Sequence, residues 1–166
     1  MRLPLVSSFP LPPRPGSLVS KLPAVLLKPA THSPFILQRL VFETVLKQVF
    51  REAIADGDFD FLKNKYLKLE ISDLNLCWFF TFDGRQLTVS QHGGADAGIR
   101  GELREFLLLI TRQEDPDTLF FQRRLQINGD TELGLSIKNM LDTIDMDNMP
   151  RLFRKGCEQL ADLLAR

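Results

Sequence analysis

The fold of this chain is decided by residues 115–145, which read DPDTLFFQRRLQINGDTELGLSIKNMLDTID. The segment opens with an aromatic pair, Phe120 and Phe121, in what we predict to be a loop. Leu125 and Ile127 alternate with a polar residue, which predicts a short strand. Apolar residues at near-helical spacing then predict an amphipathic helix, and they are Leu133, Ile137, Met140, Leu141 and Ile144. The segment holds no convincing catalytic group, so we expect it to line an apolar site.

The composition is that of one globular domain with an added arm. The chain has 166 residues, of which 44% are hydrophobic and 25% are charged. Its two cysteines, Cys77 and Cys157, form no metal-binding or Cys-x-x-Cys pattern, so we expect both to be buried and reduced. No apolar run reaches the roughly 18 residues of a membrane span. Prolines interrupt the apolar core that a signal peptide would need, which favours a cytoplasmic location.

The charge is divided between the two ends of the chain, although the formal net charge is zero. The first 42 residues carry +5 and no acidic residue, whereas the remainder carries −5. Because the remainder is acidic and lacks a basic aromatic sheet motif, nucleic acid is disfavoured as its partner. Eight of the ten prolines lie in the first 34 residues, so we predict an extended arm there. Within it, residues 17–28 form a basic amphipathic pattern with two open interpretations: contact with an anionic membrane surface, or a strap docked on the domain. The candidate membrane contacts are Leu18, Lys21, Leu22, Leu26 and Lys28.

The first secure helix is predicted over residues 34–56. Ser33 is a suitable N-cap, Pro34 suits the first helical position, and Gly57 suits the residue after the last turn. The apolar stripe of this helix is broad, so we expect it to be buried on more than one side.

The periodicity then changes to two, which predicts a sheet. Strands are expected at residues 67–71 and 74–82, followed by a two-residue hairpin centred on Asp83-Gly84. That turn would place Phe80 opposite Leu87, and Trp78 opposite Val89. The resulting sheet face is strongly aromatic.

The remaining segments are predicted from shorter signals. We predict a mobile loop at residues 91–96. We expect no catalytic or metal site there, because His92 has no nearby nucleophile, orienting partner or further metal ligand. A strand at 97–100 and a helix at 102–111 follow. In the final helix, three cations oppose the helix dipole, so we expect a second membrane or partner contact there. They are Arg151, Arg154 and Lys155.

Two runs, QEDPDTLFFQRR at 113–124 and GDTELGL at 129–135, occur between a short Ala-Asp strand and a closing helix. This arrangement resembles the sterol-carrier-protein type lipid-binding domain, and more narrowly a family of bacterial accessory factors for ubiquinone biosynthesis. The resemblance implies an α+β fold, with about five strands and helices packed on one face around an apolar lipid tunnel. It divides the chain into a basic arm (1–33), a lipid-binding domain (34–149) and a C-terminal amphipathic helix (150–166).

The resemblance also implies a function without catalysis and without a cofactor or metal. Such proteins hold or present polyprenylated quinone intermediates, in the oxygen-independent pathway, to hydroxylating partners resembling UbiU and UbiV. They act in the cytoplasm, with peripheral attachment to the inner face of the cell membrane as one hypothesis. From the apolar pattern we expect the lipid cavity to be lined by Trp78, Phe80, Leu87, Phe106, Leu107, Ile110, Phe120, Leu125, Ile127, Leu133, Ile137, Met140 and Leu141.

Two other functions remain open. One is an interaction scaffold without a ligand, whose basic arm docks a protein partner. The other is an acyl or thioester hydrolase that uses Cys77 or His92, which the sequence favours least.

Overall fold

The structure of the protein is a computed structural model, which describes residues 33–144 and 146–164, without the side chain of residue 146. The predicted arm lies outside this range, apart from Ser33. The five candidate membrane contacts Leu18, Lys21, Leu22, Leu26 and Lys28 therefore also lie outside the described residues.

Helices and strands are mixed along the described chain. In order, the helices and strands are α1 (Phe35–Val49), α2 (Arg51–Asp56), β1 (Leu67–Ile71), β2 (Leu76–Phe82), β3 (Leu87–Ser90), β4 (Ala97–Gly101), α3 (Leu103–Ile110), α4 (Pro116–Phe121), β5 (Leu125–Gly129), α5 (Thr131–Asp142) and α6 (Arg151–Leu164). Single turns of 3₁₀ helix lie at Asp60–Leu62 and Met146–Asn148.

The five strands form one sheet in the order β3-β2-β1-β4-β5. β1 and β4 are parallel, and the other neighbours are antiparallel. One face is buried under side chains of α1, α3 and α5, whereas the other carries polar groups, including the ion pairs of Glu70 with Lys68 and Arg100. The predicted α+β class and the five-stranded sheet are confirmed.

In the hairpin between β2 and β3, the pairing register is shifted by two residues from the predicted one, and the turn is shifted by one residue. Phe80 pairs with Val89 and Phe82 with Leu87, so the predicted partners of Phe80 and Trp78 were wrong. The central pair is Gly84-Arg85, because Gly84 alone takes a positive φ, 93°, as the first central residue of a type II′ turn does. The Asp83 carboxylate also accepts the backbone N–H groups of Arg85 and Gln86, which fixes Asp83 as the residue before the central pair. A shift of two residues leaves the aromatic face unchanged.

The predicted helix 34–56 is two helices, and its outer side is not buried. The chain breaks helical geometry at Phe50, and Pro34 rather than Ser33 occupies the N-cap position, while Gly57 ends α2 with φ 81° as predicted. α1 has no fully buried residue. Its outer side is apolar yet 45–71% exposed, and consists of Ile36, Leu37, Leu40 and Val41. The expectation of burial on more than one side was wrong, because the sheet covers only one side of this helix.

The inner side of α1 is anchored on β2 and β3. The Phe42 ring centroid lies 4.9 Å from that of Trp78, and the Trp78 indole N–H donates to Gln38 Oε1 at 2.8 Å. Glu43 Oε1 accepts the backbone N–H of Val89 at 3.1 Å. α1 therefore also satisfies a free backbone donor of the edge strand β3.

Residues 116–121 form helix α4 instead of the predicted loop. Asp115 Oδ2 accepts the backbone N–H of Thr118 at 3.0 Å, and Pro116 occupies the first turn. Both are ordinary helix-start signals. Six residues are too few to show a helical period, so the apolar pattern did not indicate the helix.

The cysteines have different surroundings. Cys157 is buried with Leu107, Ala161 and Leu164 in a second core, between α3 and α6. Burial raises the pKa of the Cys157 thiol to about 11. Cys77 is exposed on the outer face of β2, so its predicted burial was wrong.

Gly134 allows α5 to lie close to β5. A Cβ atom at this position would lie 2.5 Å from Cγ2 of Ile127, closer than such atoms approach. Glycine costs about 1 kcal/mol relative to alanine inside a helix. Close packing of α5 on the strand explains why glycine occurs here.

We expect Gly134→Ala to destabilise the protein, because overpacking costs about 1–3 kcal/mol and exceeds the helix-propensity gain of about 1 kcal/mol. Ile127→Ala removes the obstructing methyl group, so in that background Gly134→Ala should be neutral or stabilising. Urea denaturation of the four proteins gives the comparison. Equal effects in both backgrounds would contradict the proposed contact.

Candidate functional site

Two adjoining grooves lie where α4, β5 and α5 meet, at the β5 edge of the sheet. The first has a volume of about 670 Å³ and is lined by Asp117, Thr118, Phe120, Phe121, Gln122 and Lys138. The second has a volume of about 460 Å³ and is lined by Phe120, Arg123, Leu125, Gln126, Ile127 and Lys138. They share Phe120 and Lys138, and we call them the helix-side groove and the strand-side groove.

The grooves combine apolar walls with an exposed apolar rim. Leu125 is 1% exposed, whereas Phe120 and Ile127 are half-buried and pack against the main core. Phe121 is 90% exposed, and Leu135, one turn before Lys138 on α5, is 58% exposed. Large apolar side chains in contact with water around a concave surface are typical of a binding site for an apolar partner.

Local capping and one ion pair hold the helices that form these walls. Asp130 Oδ1 accepts the backbone N–H groups of Glu132 and Leu133 at the start of α5, and the hydrogen bond from Leu133 is the main reason that the pKa of Asp130 is lowered. Lys138 on α5 pairs with Asp117 on α4. That hydrogen bond raises the pKa of Lys138.

The two neighbouring arginines after α4 have different roles. Arg124 points inward, where its guanidinium lies 2.6 Å from Glu105 and 3.1 Å from Glu114. Arg123 is exposed and lines the strand-side groove. Among the described residues, its side chain has neither an ion pair nor a hydrogen bond. Arg123 has φ 59°, in the left-handed region, so adjacent side chains can point to different environments.

The thirteen residues expected to line a cavity are spread over three places. Phe120, Leu125 and Ile127 line the strand-side groove. Leu107 belongs to the second core. The other nine lie in the main core or pack against it, and they are Trp78, Phe80, Leu87, Phe106, Ile110, Leu133, Ile137, Met140 and Leu141. Several of these core side chains pack on one another, and the apolar tunnel stays a prediction.

Of the ten residues that line the two grooves, the predicted cavity residues include only Phe120, Leu125 and Ile127, and those missed include Phe121 and Lys138. Phe121 follows a residue that does pack inward, and nothing in the alternation of apolar residues distinguishes the two. Lys138 is a charged residue on an amphipathic helix, which ordinarily indicates a solvated face. Only the approach of α4 brings its ammonium to Asp117 and the groove.

The three cations of α6 do not act alike. Arg154 pairs with Asp147 at 3.1 Å and lies 3.9 Å from Glu158. Arg151 and Lys155 are exposed, beside Leu152, which is 88% exposed. No helix in the described part of the chain is long and apolar enough to cross a membrane.

The residues considered for hydrolysis do not form a catalytic arrangement. Cys77 is exposed on the outer sheet face, and His92 lies in the exposed loop after β3. Within residues 33–144 and 146–164, neither side chain has a hydrogen-bonding or ionic partner. In the same residues, no group of His, Cys, Asp and Glu side chains could hold a metal ion.

A five-stranded sheet with helices packed on one face is the fold that the resemblance to the sterol-carrier-protein type domain implied. The family model described as the SCP-2 sterol transfer family matches residues 42–142. The chain therefore belongs to the SCP-2 sterol transfer family, and the resemblance seen in the sequence is confirmed.

The chain is also similar to individual proteins of known name. It is 43% identical over 142 residues to the ubiquinone biosynthesis accessory factor UbiT of Escherichia coli strain K12, with 86% of this chain and 82% of that protein covered. The protein of the same name from Escherichia coli O157:H7 gives the same values. A solved structure described as UbiJ-SCP2 ubiquinone synthesis protein has a TM-score of 0.54 at 22% identity. That match covers 66% of this chain and 97% of the other, and it supports the fold alone.

We expect Arg124→Met to lower the free energy of unfolding by about 2 kcal/mol. The Glu105 side chain is only 9% exposed, and losing one partner of a buried pair costs about 3–5 kcal/mol. The loss should be smaller here because Arg104 remains 3.3 Å from Glu105. Arg123→Met is the matched control, and as a surface change it should stay within about 0.5 kcal/mol. Equal denaturation midpoints for the two variants would contradict the assigned roles.

Proposed function

We propose that the protein is a non-enzymatic lipid-binding accessory factor in oxygen-independent ubiquinone biosynthesis. It holds a polyprenylated quinone intermediate and presents it to hydroxylating partners resembling UbiU and UbiV. The proposal is carried by the 43% identity with UbiT, which is named an accessory factor of ubiquinone biosynthesis. An apolar groove in a sterol-carrier fold, without an assembled catalytic group among the described residues, supports it.

The chemistry of a prenyl chain suits such a groove. Each methylene equivalent removed from water contributes about 0.8 kcal/mol, so a long chain binds without specific polar contacts. Phe120, Leu125 and Ile127 offer the apolar surface for part of the chain. A longer tail would need the predicted tunnel behind them, between helices and sheet, to open in the bound state. Such opening is expected to separate the half-buried residues Met140 and Leu141 from the main core, because neither is fully enclosed.

We further propose the division of labour expected from the sequence. Residues 34–149 bind the lipid, while the basic arm 1–33 and the helix within 150–166 bring the domain to an anionic membrane surface in the cytoplasm. The apolar outer side of α1 follows the arm directly and would add to this contact. Cationic groups are attracted to the anionic surface, and exposed apolar groups add binding free energy when they are buried in the membrane interface.

Lipid extraction tests the carrier function directly. Full-length protein purified without detergent should release a prenyl lipid or quinone that native mass spectrometry identifies. Phe120→Glu should reduce the bound fraction several-fold, because it places a charge in the apolar groove. Leu152→Glu, an equally drastic change on the exposed side of α6, is the control and should retain the lipid. A wild-type protein that carries no lipid would instead favour a ligand-free scaffold.

Vesicle flotation tests the membrane contact. Full-length protein should float with anionic vesicles and not with neutral ones, because the proposed contact depends on charge. Joint Leu37→Ser and Leu40→Ser substitution should weaken flotation, whereas Leu135→Ser on α5 should not. If reversing the charges of Arg151, Arg154 and Lys155 leaves flotation unchanged, α6 is not part of the contact.

A further inference from the structure

We propose that Arg123, assisted by Lys138, forms an oxyanion-binding subsite in the strand-side groove. Its ligand is an amphiphile in which a carboxylate or phosphate is joined to an apolar prenyl chain. This inference rests on the proposed lipid-binding function and adds to it the residue that recognises the polar head and the chemical class of that head.

The first reason is the charge of the groove. The strand-side groove is lined by two cations and no acidic residue, together with Phe120, Leu125, Gln126 and Ile127. The helix-side groove has the acidic Asp117 among its lining residues. Asp117 offsets the charge of Lys138 on the helix side, so an anion that reaches this depression is attracted more strongly to the strand side. Positive charge next to an apolar wall is complementary to an anionic amphiphile and not to a neutral one.

The second reason is that the Arg123 guanidinium is available. Arg124 is held by Glu105 and Glu114, whereas the Arg123 side chain has no ionic or hydrogen-bonding partner within the described range. Lys138 is partly neutralised by Asp117. Arg123 thus supplies the uncompensated charge, and its planar fork of N–H groups suits the two oxygens of a carboxylate or phosphate.

The third reason is the backbone at this position. Arg123 follows the last turn of α4, where its N–H donates to the Phe120 carbonyl and the Arg124 N–H donates to the Leu119 carbonyl. This pattern places Arg123 in the left-handed region, at a position where glycine or asparagine is usual. The Gln126 amide donates to the Arg123 carbonyl at 3.3 Å and helps to hold the turn. The turn thus holds the arginine backbone in a fixed conformation at the groove, although glycine would adopt that conformation at a lower cost.

The fourth reason is the relation between head and tail. Arg123 and Ile127 lie on the same groove as Phe120, so a head at Arg123 has apolar walls beside it. Leu125 lines the groove and is also fully buried in the main core, so it connects the groove with the interior. A bound amphiphile would place its head at the rim and its chain over Phe120 and Ile127.

The test compares matched ligands on the full-length protein by isothermal titration calorimetry. One pair is farnesyl phosphate and farnesol, and the other is a farnesylated hydroxybenzoic acid and the corresponding farnesylated phenol. The wild type should bind each anionic ligand about tenfold more tightly than its uncharged counterpart, the effect of about one charge-assisted hydrogen bond. Arg123→Gln should abolish this preference and leave the affinity for farnesol unchanged. Arg123→Lys should retain part of the preference.

Controls distinguish the subsite from a general effect of surface charge. Arg100→Gln removes an exposed arginine from the outer sheet face, and it should leave all four affinities unchanged. Inorganic phosphate should compete only weakly, because it lacks the chain, and strong competition would indicate a site for free phosphate and overturn the amphiphile assignment. Thermal melting should show that the Arg123 variants fold like the wild type. If only the carboxylate or only the phosphate binds more tightly than its uncharged counterpart, that result supports the subsite and identifies the polar head group that it recognises.

The result that overturns the subsite is distinct from the result that overturns the carrier function. If the wild type binds charged and uncharged ligands equally, or if Arg123→Gln weakens both equally, the subsite is wrong and lipid binding stands. If the wild type binds none of the four ligands, both proposals fail.

Discussion

The ion pair between Arg124 and Glu105 is the contact on which the site depends. It joins the start of β5 to α3, and the Glu105 side chain is 9% exposed, so the pair lies largely out of water. Glu114, just before α4, meets the same guanidinium. A buried carboxylate needs its partner, which fixes the direction of Arg124. Because the chain turns through a left-handed residue immediately before it, Arg123 is left facing the groove.

The second constraint is steric and acts from the opposite wall. α5 lies so close to β5 that only glycine fits at residue 134, against Ile127. This approach brings Lys138 to Asp117 and encloses the groove between two helices and an edge strand. Electrostatic and steric contacts thus place two cations beside an apolar surface, and each contact joins two different secondary-structure elements or the segments next to them. An edge strand ordinarily exposes unpaired backbone groups, and here it also forms one wall of the groove.

The apolar surfaces of the described chain follow a consistent division. Side chains that meet the sheet form one main core, and α6 packs on α3 to form a second. The exposed apolar groups gather mainly on the outer side of α1 and beside the grooves. These two surfaces are carried by different elements, which is compatible with separate contacts for membrane and ligand. A globular domain has no packing reason to keep four exposed apolar residues on one helix, which is why a partner for that surface is part of the proposed function.

The sequence by itself determined the elements with strong periodicity and the family. The alternation along β1 and β2, the 3.6-residue pattern of α5 and the glycine after α2 are local signals, and they correctly predicted the two strands, that helix and the end of α2. The runs at residues 113–124 and 129–135 carried the resemblance to the family, which is confirmed. The hairpin register was missed although its cause is local, because the Asp83 carboxylate accepts the backbone N–H groups of Arg85 and Gln86 and moves the central pair of the turn by one residue. Only the tertiary structure decided that α1 has an exposed apolar side, that Cys77 is exposed, and that Arg123 and Arg124 face different environments. These properties depend on which surface covers a residue, and coverage is set by contacts between segments that are distant in the chain.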